Sequence, residues 1–291
     1  MVFVLMFALA AFPIAAPVSA SGTGSLSVMT YNMKNTNTGI TGIANMVAAE
    51  NPDVVGMQEV TNLHWALLNA AMSGKGYNSV RGEYRGTTSW TQANECNPIF
   101  YKASKFNLHN YGTFWLSDTP NVKSKFSDSQ YYRICTWVVL ENKTTHDYFI
   151  QLNTHFDLAT TTIFKQEKVL LQRLLAIEQN APAAHDNLII TGDMNMKNNY
   201  AIFKYIIGTG PAYGETNTIT GTRLHESRQV ATNIVTNSFG NCYSHPSDNP
   251  IEDFDHIVIC RAGFNCTTYK VCSNAAGSDH LPVVANLQFK P

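Results

Sequence analysis

Five polar side chains share one placement in the sequence, at the end of an apolar, strand-like run or in the loop just after it. They are Asn32, Glu59, His155, Asp193 and Asn195. In α/β folds, ligands bind in the crevice outside the carboxyl ends of the strands. A single polar residue at such a point is usually a turn former. Five placed alike indicate a common site.

The chemical types of these residues suit metal-assisted proton chemistry. Carboxylate and amide oxygens are ligands that Mg²⁺ prefers, and an imidazole changes its charge near neutral pH. Two short segments late in the chain, Asp255-His256-Ile257 and Ser278-Asp279-His280, add further acids and histidines. Each segment alone is a weak signal, because acids and amides are ordinary in turns. Their conjunction predicts a catalytic site.

Short apolar runs alternate with helical patterns along the chain. Apolar side chains at helical spacing predict helices from residue 43 to 50, 63 to 70 and 169 to 177, and a short one over 201–207. The predicted strands are 26–33, 53–60, 98–101, 134–140, 148–153, 187–191, 254–259 and 283–289. Strands interleaved with helices predict an α/β fold with two stacked mixed β-sheets flanked by helices, a four-layer α/β/β/α sandwich.

The motifs resemble those of the endonuclease/exonuclease/phosphatase superfamily, which includes pancreatic deoxyribonuclease, apurinic-site endonucleases, neutral sphingomyelinases and inositol polyphosphate phosphatases. The resemblance spans residues 26–289 and implies one catalytic domain over residues 21–291. Three further segments, at 97–101, 112–120 and 133–137, resemble a secreted branch. In the family's order, the motifs are Tyr31-Asn32, Gln58-Glu59, Thr154-His155-Phe156-Asp157, Gly192-Asp193-Met194-Asn195, Asp255-His256-Ile257 and Ser278-Asp279-His280.

The resemblance implies an in-line hydrolysis of a phosphate ester with a bound divalent metal ion. Glu59 is the implied metal ligand, and Asn32 and Asp279 complete its surroundings. Mg²⁺ is the expected ion, with Mn²⁺ and Ca²⁺ as alternatives. Asp193 is expected to orient or deprotonate the attacking water, and Asn195 to donate a hydrogen bond to a phosphoryl oxygen.

Two histidines are expected to act with acidic partners. The resemblance pairs His280 with Asp255 and His155 with Glu95, with His280 as the catalytic histidine and His155 as a contact to phosphate. The alternative for Glu95 is a solvated loop acid. The remaining histidines, His64, His109, His146, His185, His225, His245 and His256, are interpreted as surface or core residues.

Arg133 is expected to bind phosphate oxygens, since a guanidinium presents a planar pair of donors. A surface ion pair is its rival interpretation. Arg81 and Arg85, with Trp90, either line a nucleic-acid groove or are ordinary loop residues. The chain also departs from many relatives by carrying Leu158 where they have another histidine, so Asp157 is interpreted as structural.

The composition limits the partners of the chain. Charged residues make up 14% of the 291 residues and the formal net charge is −1. This excludes a basic nucleic-acid arm and an acidic disordered tail, and it argues against polybasic adhesion to a membrane. It leaves room for a phosphate-handling enzyme, because a metal ion can supply local positive charge.

The N-terminal residues predict export. Residues 2–18 carry no charge and end in Val18-Ser19-Ala20, so residues 1–20 are interpreted as a signal peptide cleaved after Ala20. A short membrane anchor is the alternative, and no transmembrane helix is expected in the mature chain. Six cysteines suggest up to three disulfides in a secreted chain. Sequons at Asn142 and Asn265 fit the same route.

These observations predict a secreted, Mg²⁺-dependent phosphoesterase that cleaves phosphodiester bonds, with a DNase-like endonuclease as one form. The small number of arginines, seven, argues against a broad DNA-binding surface. The alternatives are a sphingomyelinase-like or inositol-phosphate hydrolase of the same fold, and a non-catalytic effector. The expected partner is a phosphate-ester substrate, with nucleic acid as one candidate. A monomer is the simplest expectation, and a toxin subunit with partner chains is the alternative.

Overall fold

A computed structural model of the protein describes residues 24–87 and 93–291. The predicted signal peptide and Trp90 lie outside these residues. The strands are β1 (Ser25–Asn32), β2 (Val54–Gln58), β3 (Val60–Thr61), β4 (Tyr77–Val80), β5 (Glu95–Cys96), β6 (Ile99–Lys102), β7 (Phe106–Trp115), β8 (Ile134–Asn142), β9 (Tyr148–His155), β10 (Leu188–Asp193), β11 (Leu224–Glu226), β12 (Asn233–Val235), β13 (Asp255–Cys260), β14 (Phe264–Val271) and β15 (Val283–Phe289).

The strands form two large mixed sheets. The first has seven strands in the order β12-β14-β15-β1-β2-β6-β4, and the second has six in the order β11-β13-β10-β9-β8-β7. In the first sheet β1 and β2 run parallel, and in the second β9 and β10 do. Strands β3 and β5 form a separate two-stranded ladder. The polar side chains that follow β1, β2, β9 and β10 therefore collect at one edge of the sandwich.

Helices cover both outer faces of the sandwich. They are α1 (Ile40–Glu50), α2 (Trp65–Ser73), α3 (Thr160–Gln179), α4 (Ala201–Ile206) and α5 (Ser227–Val230), with a 3₁₀ turn at Pro182–Ala184. Alternation along β1 sends Leu26 and Val28 between the sheets, while Met29 and Tyr31 pack in the cluster that contains the apolar face of α1. Buried side chains of α3 and α4 pack on the outer face of the second sheet. The predicted four-layer α/β/β/α sandwich is confirmed.

Polar side chains replace apolar ones between the sheets just beneath the carboxyl ends of the strands. Gln58 donates through Nε2 to Thr30 Oγ1 at 3.0 Å and to Asn153 Oδ1 at 2.7 Å. Asn153 donates in turn to the backbone carbonyls of Met57 and Pro98. Gly56 is required here, because a Cβ would lie 2.5 Å from Asn153 Oδ1 and closer still to Thr191. The two sheets are thus bonded to each other directly below the predicted site.

The six cysteines are free thiols in the structure, which therefore contains none of the predicted disulfides. Five are buried and Cys242 is partly exposed. Burial raises the pKa of the thiols of Cys96, Cys135 and Cys272 far above the ordinary value, which makes these side chains behave as small apolar groups.

The two sequons lie in different environments. Asn142 is buried, and its Oδ1 accepts the backbone N–H groups of Thr144 and Thr145, so this side chain is engaged in a turn. Asn265 is exposed. Of the two sequons, Asn265 is therefore the one whose side chain is accessible. No helix among the described residues is long and apolar enough to cross a membrane.

Candidate active site

Strand register brings the predicted residues to one edge of the sandwich. Asp193 at the end of β10 is paired with His155 on β9 and with Asp255 on β13. On the first sheet, Asn32 is paired with Gln58, which precedes Glu59. A cavity of about 290 Å³ opens at this edge. Among the predicted residues, it is lined by Glu59, Glu95, Arg133, His155, Asp193, Asn195, Asp279 and His280.

Asp193 lies at the centre of the site. Its Oδ2 accepts a hydrogen bond of 2.9 Å from Asn32 Nδ2 and lies 3.6 Å from His155 Nε2 and 3.7 Å from His280 Nε2. Its Oδ1 accepts the backbone N–H of Asn195. Burial raises the pKa of Asp193, against the opposing charge of His280. The carboxylate is therefore held rigidly and is more basic than an exposed aspartate, as a group that takes a proton from water must be.

His280 is held as a cation by a second carboxylate. Its Nδ1 donates to Asp255 Oδ2 at 2.8 Å, and the same oxygen accepts the Ser244 hydroxyl at 2.6 Å. Burial disfavours the charged imidazolium, but the carboxylates of Asp255 and Asp193 outweigh it and raise the pKa of His280 to about 10. The predicted pairing of His280 with Asp255 is confirmed. Asp253, two residues before Asp255, pairs with Arg228 instead.

The acidic side of the cavity is formed by Glu59 and Asp279. Glu59 has a positive φ of 61° and accepts two hydrogen bonds, from Asn32 Nδ2 at 2.9 Å and from the Asn35 backbone N–H at 2.8 Å. Burial and the nearby Glu95 carboxylate raise its pKa. Asp279 forms an ion pair of 3.1 Å with Lys34. Asn32 thus bridges Glu59 and Asp193 through its amide nitrogen.

The predicted pairing of His155 with Glu95 is wrong. Glu95 Oε1 accepts hydrogen bonds from Arg85 Nη2 at 3.0 Å and from Asn35 Nδ2 at 2.9 Å. The Arg85 side chain reaches Glu95 because the two backbones are also hydrogen-bonded: the Arg85 backbone N–H donates to the Glu95 carbonyl. His155 Nδ1 is buried and has no hydrogen-bond partner among the residues that the structure describes.

The surroundings of His155 disfavour a charge on its imidazole. Burial lowers its pKa well below the ordinary value, and the charges of Arg133, Arg85 and His280 act in the same direction. The two histidines that flank Asp193 therefore differ, because the surroundings of His280 favour its charged form. Of these two histidines, His280 is the one suited to stabilise an anion.

Arg133 is a buried cation, not a surface residue. Only 4% of its surface is exposed, and its buried Nε has no hydrogen-bond partner among residues 24–87 and 93–291. It lies over the Tyr131 ring, with Cζ 4.9 Å from the ring centre, and Arg85 lies 5.0 Å from the same ring. The interpretation of Arg133 as a surface ion pair is excluded.

Asp157 and Asn195 form hydrogen bonds to the backbone of segments next to the cavity. Asp157 accepts the backbone N–H groups of Tyr131 and Leu158, so its interpretation as a structural residue is consistent with its contacts. Asn195 has a positive φ of 49° and donates through Nδ2 to the Phe156 carbonyl at 3.0 Å. Leu158 is 53% exposed and lines the cavity where many relatives were expected to place a histidine.

Three cavity residues were given no place in the catalytic site by the sequence interpretation. His245 stacks on Phe254 and contacts His280 at a tilt, with the two histidine ring centres 4.6 Å apart, and its Nδ1 is buried with no partner among the described residues. Backbone hydrogen bonds to Glu252 fix His245 in this position. Arg85 and Asn35 are the other two. No strand or helix pattern marks any of the three, because each reaches the site from a loop.

Arg81 does not join Arg85 in the cavity. It lies over the Tyr84 ring and lines a separate groove of about 840 Å³ between the edge strands β4 and β7. Although this groove is larger, it lacks the cluster of carboxylates and histidines found at the strand ends. The predicted chemistry therefore belongs to the smaller cavity.

Comparisons with known proteins place these motifs in context. A model of the endonuclease/exonuclease/phosphatase family matches residues 29–280. An endonuclease/exonuclease/phosphatase family protein from Bacteroides thetaiotaomicron has a similar structure, with a TM-score of 0.76 and 23% identity over 92% of this chain and 99% of that one. No curated protein matches the chain.

Two further solved structures are similar. A mannosyl-6-phosphatase from B. thetaiotaomicron has a TM-score of 0.75 and 23% identity, over 90% of this chain and 99% of that chain. The human Nocturnin catalytic domain with bound sulfate has a TM-score of 0.68 and 18% identity, over 91% and 95%. At these identities the similarity establishes the fold.

Proposed function

The chain belongs to the endonuclease/exonuclease/phosphatase family, whose members are phosphoester hydrolases, and we propose that it hydrolyses a small phosphate ester in the cavity at the strand ends. The observation that carries this proposal is Arg133. Arg133 is buried, lines the cavity, and has no partner for its Nε among the described residues, and a buried cation is stabilised when an anion binds beside it. Phosphate oxygens match its planar donors.

A divalent metal fits the acidic side of the cavity. Enzymes of this family generally depend on a divalent ion. Glu59, Asp193 and Asp279 offer carboxylate oxygens around one cavity, and hard oxygen donors suit Mg²⁺. The raised pKa of Glu59, caused by burial and by the Glu95 carboxylate, indicates negative charge that a cation would relieve. Glu59 and Asp279 are the residues that would hold the ion, with Asn32 positioning Glu59.

Bound there, the ion would polarise a phosphoryl oxygen and stabilise charge on the leaving oxygen. The chain supplies the remaining functions. Asp193 orients the attacking water or accepts its proton through Oδ2. The Asn32 amide, which donates to the same oxygen, holds the carboxylate in place. His280, kept cationic by Asp255, stabilises negative charge that develops on the phosphoryl group. Arg133 binds a second phosphoryl oxygen.

An activity panel with purified protein tests the proposal. The substrates are p-nitrophenyl phosphate, hexose phosphates, inositol phosphates, sphingomyelin, RNA and plasmid DNA, each with Mg²⁺ or with EDTA. We expect hydrolysis of at least one small ester with Mg²⁺ and none in EDTA. The matched control is Asp193→Asn, which keeps the shape of the side chain and should lose turnover. No hydrolysis of any substrate, or cleavage that survives in Asp193→Asn, would reject the proposal.

Nuclease activity is the second candidate from the sequence. Its support is the family itself, which includes nucleases. Two observations argue against this candidate. The cationic groups of the site lie inside the cavity, and the net charge of −1 leaves little basic surface along which a nucleic-acid backbone could bind. Cleavage of plasmid DNA in preference to small esters would favour this candidate.

Export is a separate part of the proposal. It is supported by the uncharged residues 2–18 and the small residues that follow them. N-terminal sequencing of protein recovered outside the cell tests it, and the expected first residue is Ser21. An intact Met1 in the recovered protein, or retention inside the cell, would contradict export.

A further inference from the structure

We infer that the substrate is a phosphomonoester dianion, bound in the cavity by both Arg85 and Arg133. This inference rests on the proposed hydrolysis of a phosphate ester and names its substrate class. It starts from Arg85, a residue that the motifs did not indicate. Arg85 is 6% exposed and lines the same cavity as Arg133.

The two arginines form a pair organised by one aromatic ring. Their guanidinium carbons lie 5.0 Å (Arg85) and 4.9 Å (Arg133) from the centre of the Tyr131 ring. Asp157 fixes Tyr131 by accepting its backbone N–H at 3.2 Å. The charge of Arg85 contributes, after burial, to lowering the pKa of Arg133, so each cation disfavours the charge of the other. An anion with more than one oxygen relieves this repulsion.

Arg85 is also anchored to the acidic side of the cavity. Its Nη2 donates to Glu95 Oε1, which accepts Asn35 Nδ2 as well. The Asn35 backbone N–H donates to Glu59 Oε2 at 2.8 Å. A chain of three contacts therefore fixes the position of the arginine pair relative to the proposed metal ligand. The pair and the metal ligand can then engage different oxygens of one phosphoryl group.

A phosphomonoester matches this arrangement better than a diester. A monoester dianion has three non-bridging oxygens, and the arrangement offers three sets of partners: Arg85, Arg133 and the acidic side with its metal. A diester has only two such oxygens and one negative charge. Its second substituent would take the place of one oxygen, so one of the three sets of partners would lack a phosphoryl oxygen.

The test compares p-nitrophenyl phosphate with bis(p-nitrophenyl) phosphate, which share a leaving group. We expect the wild-type kcat/KM to favour the monoester by at least about tenfold. The test variant is Arg85→Gln combined with Glu95→Gln, because the double change removes the cation without leaving Glu95 as an unpaired carboxylate. The double variant should lower kcat/KM for the monoester by about 10- to 100-fold, which is the effect expected when one hydrogen bond to a charged group is lost. It should lower kcat/KM for the diester far less.

Arg81→Gln is the matched control, since Arg81 carries the same charge four residues earlier but lies in the other groove. It should leave the ratio of the two substrates unchanged. Arg85→Lys provides a second variant that keeps the charge and loses the planar donors, and it should lie between wild type and the double variant. Competitive inhibition by inorganic phosphate should weaken in the same order.

The outcomes separate this inference from the proposed function. Wild-type preference for the diester, or an equal loss on both substrates in a folded double variant, would overturn the inference and leave phosphoester hydrolysis in place. If neither substrate nor any ester of the wider panel is hydrolysed, the proposed function itself fails.

Discussion

Gln58 Nε2 donates a 2.7 Å hydrogen bond to Asn153 Oδ1, and this contact ties the two sheets together beneath the cavity. Asn153 lies two residues before His155 on β9, so both side chains point to the same face. Thr191 precedes Asp193 on β10 in the same way, and its hydroxyl also contacts Asn153 Oδ1, at 3.1 Å. The layer that bonds the sheets therefore also sets the spacing between the candidate site residues His155 and Asp193 above it.

Asn153→Ala should weaken the fold. The substitution leaves the Gln58 amide with one acceptor fewer and removes one donor each from the carbonyls of Met57 and Pro98, of which Pro98 still accepts the Met57 backbone N–H. Each buried group left unsatisfied costs about 1–3 kcal/mol, so chemical denaturation should show a fall of that order in the free energy of unfolding. Asn233→Ala, on the exposed strand β12, is the control and should change stability by less than about 0.5 kcal/mol. Equal stability of both variants would contradict the role of the layer.

Asp255→Asn should reduce turnover while the protein stays folded. The amide keeps the size of the carboxylate but no longer supports the imidazolium of His280 or fixes its tautomer. A loss of about 10²–10⁴-fold in kcat is expected for a disabled proton-carrying or charge-stabilising group. Asp253→Asn provides the comparison, because that acid pairs with Arg228 and not with His280. If the two substitutions lower kcat equally, the assignment of Asp255 is wrong.

Glu167 gives the chain a pH-dependent stability away from the active site. It lies fully buried on α3, and neither carboxylate oxygen has a hydrogen-bond partner among the described residues. Burial raises its pKa well above the ordinary value, so the folded state keeps a proton that the unfolded chain releases above about pH 4.3. The free energy of unfolding contributed by this group therefore falls as the pH rises above the ordinary range of a glutamate.

Glu167→Gln should remove that slope and make the protein more stable than wild type at pH 8. Denaturant unfolding at several pH values measures this difference. Glu215→Gln changes an exposed glutamate and should leave the slope as it is. A wild-type slope that persists in Glu167→Gln would show that other groups cause it.

The sequence predicted the parts of the site that depend on strand ends. Asn32, His155 and Asp193 follow apolar runs, and because parallel neighbouring strands end at one edge, the three had to converge. The pairing of His280 with Asp255 followed from the family resemblance and is present at 2.8 Å. The layers of the fold followed from the alternation of strand and helix patterns.

The contacts that the sequence did not predict depend on loops. Arg85 forms an ion pair with Glu95, and it does so from a loop whose sequence has no periodic pattern. This contact leaves His155 without its expected partner. His245 reaches His280 through backbone hydrogen bonds to Glu252, which any residue types could form. Glu167 lies on the buried stripe of α3, where a polar residue breaks the pattern without indicating a partner. Such contacts are set by three-dimensional packing and leave no local trace.

The most direct test of the central claim is the Mg²⁺ dependence of hydrolysis in wild type and Glu59→Gln, measured on the best small ester of the panel. Wild type should be inactive in EDTA and recover with Mg²⁺, because the carboxylates of the acidic side are proposed to hold the ion. Glu59→Gln keeps the shape of the side chain and should need at least about 10–100-fold more Mg²⁺ for half-maximal rate. Full activity in EDTA, or the same Mg²⁺ dependence in both proteins, would contradict a metal-assisted reaction at this cavity.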